Sequence, residues 1–316
     1  MIYIHKDIIY TRPHYKFIKR ILDDQKISNT IIDAHDLDFI NSLDIKDDDI
    51  LIARFAHDKE DKIKTSKVFP TLTKKFKTMF PSGESYYYYD DKLRQYEFMV
   101  ENDIPCLETH HVTCKEDIEK LNINFPIVTK KTWGAGSEQV NYFETLDSIV
   151  DNTTTRSWTQ ESIYPCLVQE YQDVDYDLRV MLFDSKFYMY KRIHKWKTVN
   201  KDNFPYGTEK NSRKKILKYR YPPYKEMEVR SCDDEECKNV LPTIHKLLDI
   251  QRKKLNTYYM SWDLLKVDME YKVLEFSVIS TTQIPRNYYD LKQKKILKNK
   301  KRFFAGIESL VNQYIK

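Results

Sequence analysis

Glycine occurs only five times in 316 residues, against roughly one residue in fourteen in an ordinary protein. That scarcity limits how such a chain can grip an anionic ligand, because two widespread nucleotide-binding folds depend on glycine-rich turns. No G-x-G-x-x-G run follows the first apolar stretch, Ile2-Tyr3-Ile4, so a dinucleotide site is not expected there. No G-x-x-x-x-G-K-S/T run occurs either, which excludes a P-loop. Each remaining glycine stands against the compositional bias, and two of them, Gly134 and Gly136, lie two residues apart.

Hydrophobic residues make up 41% and charged residues 32%, enough apolar material for a packed core and too much for wholesale disorder. The length predicts two or three domains. Lys plus Arg is 53 against 48 for Asp plus Glu, a net charge of +5, and this mild excess does not predict a nucleic-acid protein. The apolar runs are short, as at Ile50-Leu51-Ile52-Ala53, so no membrane span is expected. Lys6 and Asp7 interrupt the first apolar stretch, so a signal peptide is not expected. The cysteines, Cys106, Cys114, Cys166, Cys232 and Cys237, read as reduced thiols, and a cytoplasmic protein is expected.

Along the chain, apolar strands alternate with helical patterns through the first eighty or so residues. Ile2–Ile4, Thr30–Ile32 and Ile50–Ala53 read as strands, and His14 to Asp24 as a helix with Phe17, Ile18, Ile21 and Leu22 on one face. Phe69 to Met79 reads as helix-like and Phe80 to Gly83 as a turn. This pattern predicts a small open α/β sheet. A helix capped by Asp90 or Asp91 follows, running to Asn102 and ending at Ile104-Pro105. Strands are predicted at Phe125–Lys130, Gln139–Phe143 and Leu167–Tyr171, and a hairpin joins Leu178–Phe183 to Lys186–Ile193 around Asp184-Ser185. Cys237 to Leu255 reads as an amphipathic helix, Tyr258–Val267 and Tyr271–Val278 as a second hairpin, Asn287 to Lys301 as a basic helix, and Ile307 to Ile315 as the closing stretch.

Three constellations carry chemistry. In the second hairpin, a turn centred near Met269 places Asp263 opposite Glu275. Directly opposed residues share a face of the sheet, about 5 Å apart at Cβ. Ser277 lies two residues further along that face. Two close carboxylates repel unless a cation or a proton lies between them, and hard oxygen donors with room for water and phosphate suit Mg²⁺. The same residues also suit the solvent side of an ordinary hairpin, and the residues alone leave both open. Next, Lys130 ends a strand and passes into Gly134-Ala135-Gly136-Ser137. Backbone N–H groups and an ammonium there can lie on phosphates, while a plain hairpin turn explains the same residues. Third, Asp177 and Arg179 share a strand face, with Arg192 on the partner strand. Arg can grip a phosphate with two N–H groups, and a surface Asp–Arg pair is the alternative.

The order and spacing of these pieces resemble the ATP-grasp superfamily, in particular its RimK-like carboxylate–amine ligases. The pieces are Asp91-Lys92-Leu93 opening a helix that ends at Ile104-Pro105; Phe125-Pro126-Ile127-Val128-Thr129-Lys130; Gly134-Ala135-Gly136-Ser137; Val168-Gln169-Glu170-Tyr171; Asp177-Leu178-Arg179; and Trp262-Asp263-Leu264-Leu265 followed by Glu275-Phe276-Ser277. The resemblance covers about residues 85–316. It implies an α+β and α/β chain: an ATP-grasp fold of two α+β subdomains clasping ATP, preceded by a small Rossmann-like α/β domain. The implied limits are 1–85 for that first domain, 86–165 for the lid subdomain and 166–316 for the C-terminal subdomain with the metal-binding hairpin.

By the same resemblance, ATP and one or two Mg²⁺ ions are the cofactors. Lys92, Lys130, Gly134, Gly136 and Ser137 would meet the phosphates. Gln169, Glu170 and Tyr171 would line the adenine, with backbone groups of Glu170 and Tyr171 reading its edge, and Asp177 would sit at the nucleoside. Arg179 and Arg192 would act catalytically on the transferred phosphoryl group. Asp263, Glu275 and Ser277 would hold the metal. Ser277 stands where the family pattern has Asn, Lys131 where Pro is frequent, and Glu138 where a small residue is usual.

The implied reaction joins a carboxylate to an amine through an acyl phosphate, on small-molecule, peptide or sugar substrates. A degenerate ATP-binding scaffold of the same fold is the alternative, and homo-oligomer formation is left open. The basic stretch Lys195–Tyr221 reads as a solvated loop or as a guide for an acidic acceptor. Lys292, Lys294, Lys295, Lys298, Lys300, Lys301 and Arg302 read as a solvated helix face ahead of a nucleic-acid patch. Cys232-x4-Cys237 lacks zinc spacing. His110 and His111, adjacent on a strand, point to opposite faces. Tyr86 to Tyr89 is expected to pack a domain junction, and Cys166 has no base partner in the sequence.

Overall fold

A computed structural model describes residues 1–7, 14–55, 59–134, 140–154, 160–193, 228–231, 233–278, 287–298 and 305–315. The chain begins with four strands, β1 (Ile2–His5), β2 (Asn29–Ile32), β3 (Ile50–Ile52) and β4 (Thr78–Phe80), all parallel in the order β2-β1-β3-β4. Helices α1 (His14–Asp24), α2 (Leu37–Ser42) and α3 (Lys59–Lys75) link them. Strands covered on both faces carry continuous apolar runs rather than alternation, and Leu51 and Ile52 are buried in succession. β4 takes Thr78 and Met79 from the end of the stretch expected to be helix-like and Phe80 from the start of the expected turn. Pro70 lies inside α3. Pro is commonest at a helix start, and the sequence pattern accordingly begins its helix-like stretch at Phe69-Pro70, whereas the helix starts at Lys59.

At the carboxyl end of this sheet His5 is 4% exposed, and its Nδ1 accepts from the Ala34 N–H at 3.1 Å. Burial, with His35 adding to it, lowers its pKa to about 4. Burial and Arg54 lower that of His14 to about 3. Between these values and about 6.5 the unfolded chain binds protons that the folded chain does not, so stability falls as the pH drops below 6.5. Urea unfolding is expected to show a loss of about 3 kcal/mol from His5 alone between pH 7.5 and pH 4. His5→Asn keeps an acceptor for Ala34 and is expected to flatten that slope; an unchanged slope would contradict the assignment.

A short helix α4 (Gly83–Tyr86) and helix α5 (Lys92–Glu101) lead into β5 (His110–Val112), α6 (Lys115–Glu119), β6 (Ile127–Lys131), β7 (Val140–Phe143), the small ribbon β8 (Asn152–Thr154) and β9 (Gln160–Ser162), and β10 (Cys166–Glu170). The sheet order is β5-β10-β6-β7, antiparallel throughout. β10 therefore belongs to this second sheet, and the chain leaves it after Glu170. One face buries Val112, Ile127, Phe143 and Val168 against Ile118 of α6. The other face presents Val128, Lys130, Leu167 and Gln169, which the register sets side by side. His110 and His111 are adjacent on β5, hence on opposite faces.

The third sheet holds β11 (Tyr176–Phe183), β12 (Lys186–Ile193), β13 (Glu228–Ser231), β14 (Tyr259–Val267), β15 (Glu270–Ser277), β16 (Asn287–Asp290) and β17 (Lys295–Lys298), with helices α7 (Asp234–Lys253) and α8 (Ala305–Tyr314). Its order is β15-β14-β11-β12-β16-β17, with β13 beside β12. Leu178, Val180, Met260, Trp262 and Leu264 pack toward Val240, Ile244 and Leu247 of α7. On the opposite face Met181, Phe183, Tyr188 and Tyr259 meet Ile2, Ile4 and Leu22 of the first layer and Val311 of α8. Residues further along that same face, Asp177, Arg179, Arg192 and Asp263, are polar, and the apolar seal stops where they begin.

The basic helix expected at Asn287 to Lys301 is a hairpin, β16–β17, through residue 298. Tyr289 is buried and stacks on Phe187 with ring centroids 5.2 Å apart, and this packing outweighs the helix preference of the lysines. Lys292, Lys294, Lys295 and Lys298 are spread over a turn and a strand instead of one helix face. Lys300, Lys301 and Arg302 lie outside the described residues, as do Cys232 and the Lys195–Tyr221 stretch. Cys166 and Cys237 are free thiols pushed up to about 12 by burial, so neither is a ready nucleophile. Among the described residues no helix is long and apolar enough to cross a membrane.

Candidate functional site

The hairpin β14–β15 turns through Asp268 and Met269, both with positive φ (49° and 70°), between the paired residues Val267 and Glu270. Two residues of that conformation match the twist of antiparallel strands. Taken alone, this turn would oppose Asp263 to Leu274 and drive Glu275 toward the core. The ladder instead shifts between Asp263 and Leu264, leaving Leu274 as an extra residue on β15. The bulge brings Glu275 opposite Asp263 and re-aims it to the polar face, as bulges beside functional sites do. The core pattern records the change of parity: Tyr271 and Val273 face inward before it, Phe276 and Val278 after it.

β15 is an edge strand of the described sheet, and two of its outer N–H groups find partners outside it. Val273 N–H donates to Pro105 O at 2.7 Å, and Phe276 N–H donates to the buried Gln95 Oε1 at 3.2 Å. Gln95 belongs to α5, whose N-cap Asp91 accepts from Arg94 N–H at 3.0 Å. Lys92, the first residue of that helix, lies with Nζ 4.0 Å from Glu275 Oε2, and its ammonium also donates to Gly134 O. Lys92 N–H donates to Thr132 O at 2.7 Å, and Gly134 N–H to Asp90 O at 3.1 Å. Gly134 has φ +137° with open space around it, so the backbone conformation is what requires glycine there. Gly136 and Ser137 lie outside the described residues.

Lys130, on the cleft face of β6, is pushed below the usual lysine range by burial; Glu275, Asp263 and Asp177 pull the other way. Both lysines therefore converge on the carboxylates of the third sheet. Those carboxylates form a ladder of alternating charge with two arginines. Arg179 opposes Asp263 across β11–β14, and Arg192 opposes Asp177 across β11–β12. Asp263 is 3% exposed. Its Oδ1 accepts from Arg179 Nε at 2.7 Å, and its Oδ2 accepts from Arg179 at 2.6 Å and lies 2.9 Å from an Arg192 nitrogen. Burial would raise this carboxyl, but the two guanidinium groups hold it well below the usual carboxylate range. Arg192 Nε also donates to Asp177.

The donor set suits a hard cation that arrives with phosphates. Mg²⁺ is commonly held by one or two carboxylates plus phosphate and water oxygens, not by an all-protein cage. Among the described residues no group of three or more His, Cys, Asp and Glu stands ready to cage a metal. Glu275 has a side chain 39% exposed and opposes Asp263. Ser277 opposes Ser261, whose buried Oγ has no hydrogen-bond partner among the described groups. Glu275 and Ser277 share the polar face of β15 beside Lys92, while both oxygens of Asp263 are engaged by Arg179 and Arg192.

Among the residues that the resemblance puts at the adenine, the Gln169 amide donates to Thr109 Oγ1 at 2.7 Å, and Glu170 Oε1 accepts from Asn124 N–H and its amide, both at 2.9 Å. Tyr171 N–H donates to Pro126 O at 2.9 Å, so among the backbone groups that the resemblance puts at the adenine edge this N–H is already engaged. Asp177 is 4% exposed and its carboxylate is turned to Arg192, which places it in the arginine ladder. The tyrosines at 86–89 join layers as expected: Tyr86 stacks on Phe69, and Tyr88 meets Phe98 and Phe276. Gln95 and the bulge at Leu274 were missed by sequence reasoning. The change of apolar parity between Val273 and Phe276 is the signal that reveals the bulge.

No family model matches the sequence, and no curated protein matches it. Solved structures do. An ATP-grasp ligase, PsnB, complexed with minimal precursor, Mg and ADP, matches at TM-score 0.55 and 11% identity over 89% of each chain. D-alanine–D-alanine ligase from Bacillus anthracis matches at TM-score 0.57 and 16% identity, over 88% of this chain and 86% of that one. A RimK-domain ATP-grasp protein from Sphaerobacter thermophilus matches at TM-score 0.57 and 10% identity, over 99% and 98%.

Proposed function

We propose that this chain, which has the ATP-grasp fold, is an ATP-dependent ligase that joins a carboxylate to an amine through an acyl phosphate. The observation that carries the reading is the bulged hairpin that opposes Asp263 to Glu275, with Lys92 against Glu275 and the arginine ladder alongside. A site with two lysines, two arginines and three acidic groups has little covalent chemistry to offer. It has the charges that phosphoryl transfer needs, where catalysis is positioning and electrostatic stabilisation.

In this reading Lys92 and Lys130 hold the ATP phosphates between the second and third sheets, and Val128 and Leu167 form the apolar floor for the base. Glu275, Asp263 and Ser277 would hold Mg²⁺, which when bound neutralises phosphate charge and orients the transferred group. A substrate carboxylate oxygen attacks the γ-phosphorus, the bond to the β-phosphate oxygen breaks, and ADP leaves. Arg179 and Arg192 face the acyl phosphate. An amine then attacks the acyl carbon, loses a proton, and phosphate departs. The second sheet, with Gly134 at its rim, shields the acyl phosphate from water. In this reading the first sheet is the first domain, the second the lid and the third the C-terminal unit, with β10 in the lid although it lies past the expected 165/166 limit.

A nucleotide-binding scaffold is the second reading, favoured by the engagement of both Asp263 oxygens by guanidinium groups. Phosphate release from Mg·ATP, measured with a panel of amino acids and carboxylates in the presence of hydroxylamine, separates the two. A ligase is expected to give phosphate and a trapped hydroxamate with at least one carboxylate. ADP binding with no turnover across the panel would favour the scaffold.

A further inference from the structure

α3 starts beyond the carboxyl end of β3, and Lys62 lies in its first turn. Lys62 is 6% exposed, with Nζ 2.5 Å from Asp90 Oδ2. Its ammonium also lies 4.4 Å from the ring centroid of Trp133 and 4.9 Å from that of Tyr89. A buried ammonium is costly unless paired, and here a carboxylate and two aromatic faces stabilise it. These three partners come from the two segments that make the base of the glycine turn. Asp91 bridges Trp133 in the backbone, Lys92 N–H donates to Thr132 O, and Asp90 O accepts from Gly134 N–H. Asp90 holds the left-handed conformation, φ 53°, that turns this carbonyl toward Gly134.

We infer that Lys62 is a positioning residue for nucleotide phosphates: through Asp90 and Trp133 the first domain fixes the Gly134 turn and the Lys92 ammonium. Packing alone would be served by an apolar side chain at a buried helix position. The charge at Lys62 instead selects one arrangement of Asp90, the residue that holds both the ammonium and the Gly134 N–H. The nucleotide itself need not touch Lys62. This inference rests on the proposed nucleotide site, and it adds a residue from a domain that the site had not drawn on.

The test compares the binding of ADP with Mg²⁺ and of adenosine, by calorimetry on the full chain, for wild type, Lys62→Met and Asp90→Asn. Asparagine tolerates the left-handed conformation while removing the charge, so Asp90→Asn probes the pair if Lys62→Met folds poorly. Both variants are expected to bind ADP about tenfold more weakly and adenosine as wild type does. Wild-type ADP affinity in both variants would overturn the inference. So would equal loss of ADP and adenosine, which would mark a merely structural pair. A wild-type chain that binds no ADP would overturn the proposed function together with it.

Discussion

Glu275→Gln is expected to lower ATP turnover by about 10²–10³-fold and to leave the folded chain within about 1 kcal/mol of wild type. The two halves of this expectation come from the same geometry. The Glu275 side chain is 39% exposed and lies 4.0 Å from the largely covered Lys92, a long contact at a half-open carboxylate that adds little to stability. Its carboxylate nevertheless opposes Asp263 at the point where a cation and the phosphates would converge. Gln has the same shape and no charge, so the bulge and the Phe276–Gln95 hydrogen bond persist, while a bound cation would lose the ligand proposed for it. Rates of phosphate release and thermal unfolding, measured side by side, check both. Turnover at the wild-type level would remove Glu275 from the chemistry.

Asp263→Asn is expected to do the reverse in proportion: a loss of about 3–5 kcal/mol of stability, seen as a lower urea midpoint, with turnover abolished as well. Asp263 is buried and holds Arg179 through two bonds and Arg192 through a third contact. Removing its charge leaves two guanidinium groups facing each other. The pH dependence carries a sign. The Asp263 carboxyl is held well below its ordinary value, so its stabilisation is complete above about pH 4 and fades as the pH falls toward its folded value. The Asn variant is expected to lack that acidic limb while keeping the histidine slope between pH 4 and 6.5. A variant as stable as wild type at pH 7 would show that the arginine ladder does not depend on Asp263.

How far the sequence led is clearest at this pair. Asp263 opposite Glu275 was legible, but through two displacements that cancel. The turn centres between Asp268 and Met269, half a residue before the centre assumed, and the bulge at Leu274 restores the pairing. Helix α5 was legible because its stop signals and its Asp91 cap are local. The partner of Asp177 was not. Arg179 shares its strand face two residues on, and Arg192 sits directly opposite. Opposed Cβ atoms are about 5 Å apart, closer than same-face neighbours along one strand, so the cross-strand partner takes the carboxylate. Lys62 was illegible for another reason: Asp90 and Trp133 come from two distant segments that only the assembled layers bring together. The β16–β17 hairpin was hidden beneath a lysine-rich composition, since the packing of Tyr289 on Phe187 is tertiary.

The most direct test of the Asp263–Glu275 pair as a metal-dependent nucleotide site is calorimetric titration of ADP with and without Mg²⁺, on wild type and on Glu275→Gln. Wild type is expected to bind ADP at least about tenfold more tightly with Mg²⁺ present, and Glu275→Gln to lose that increment while retaining the metal-free affinity. The same Mg²⁺ increment in both proteins would contradict the account.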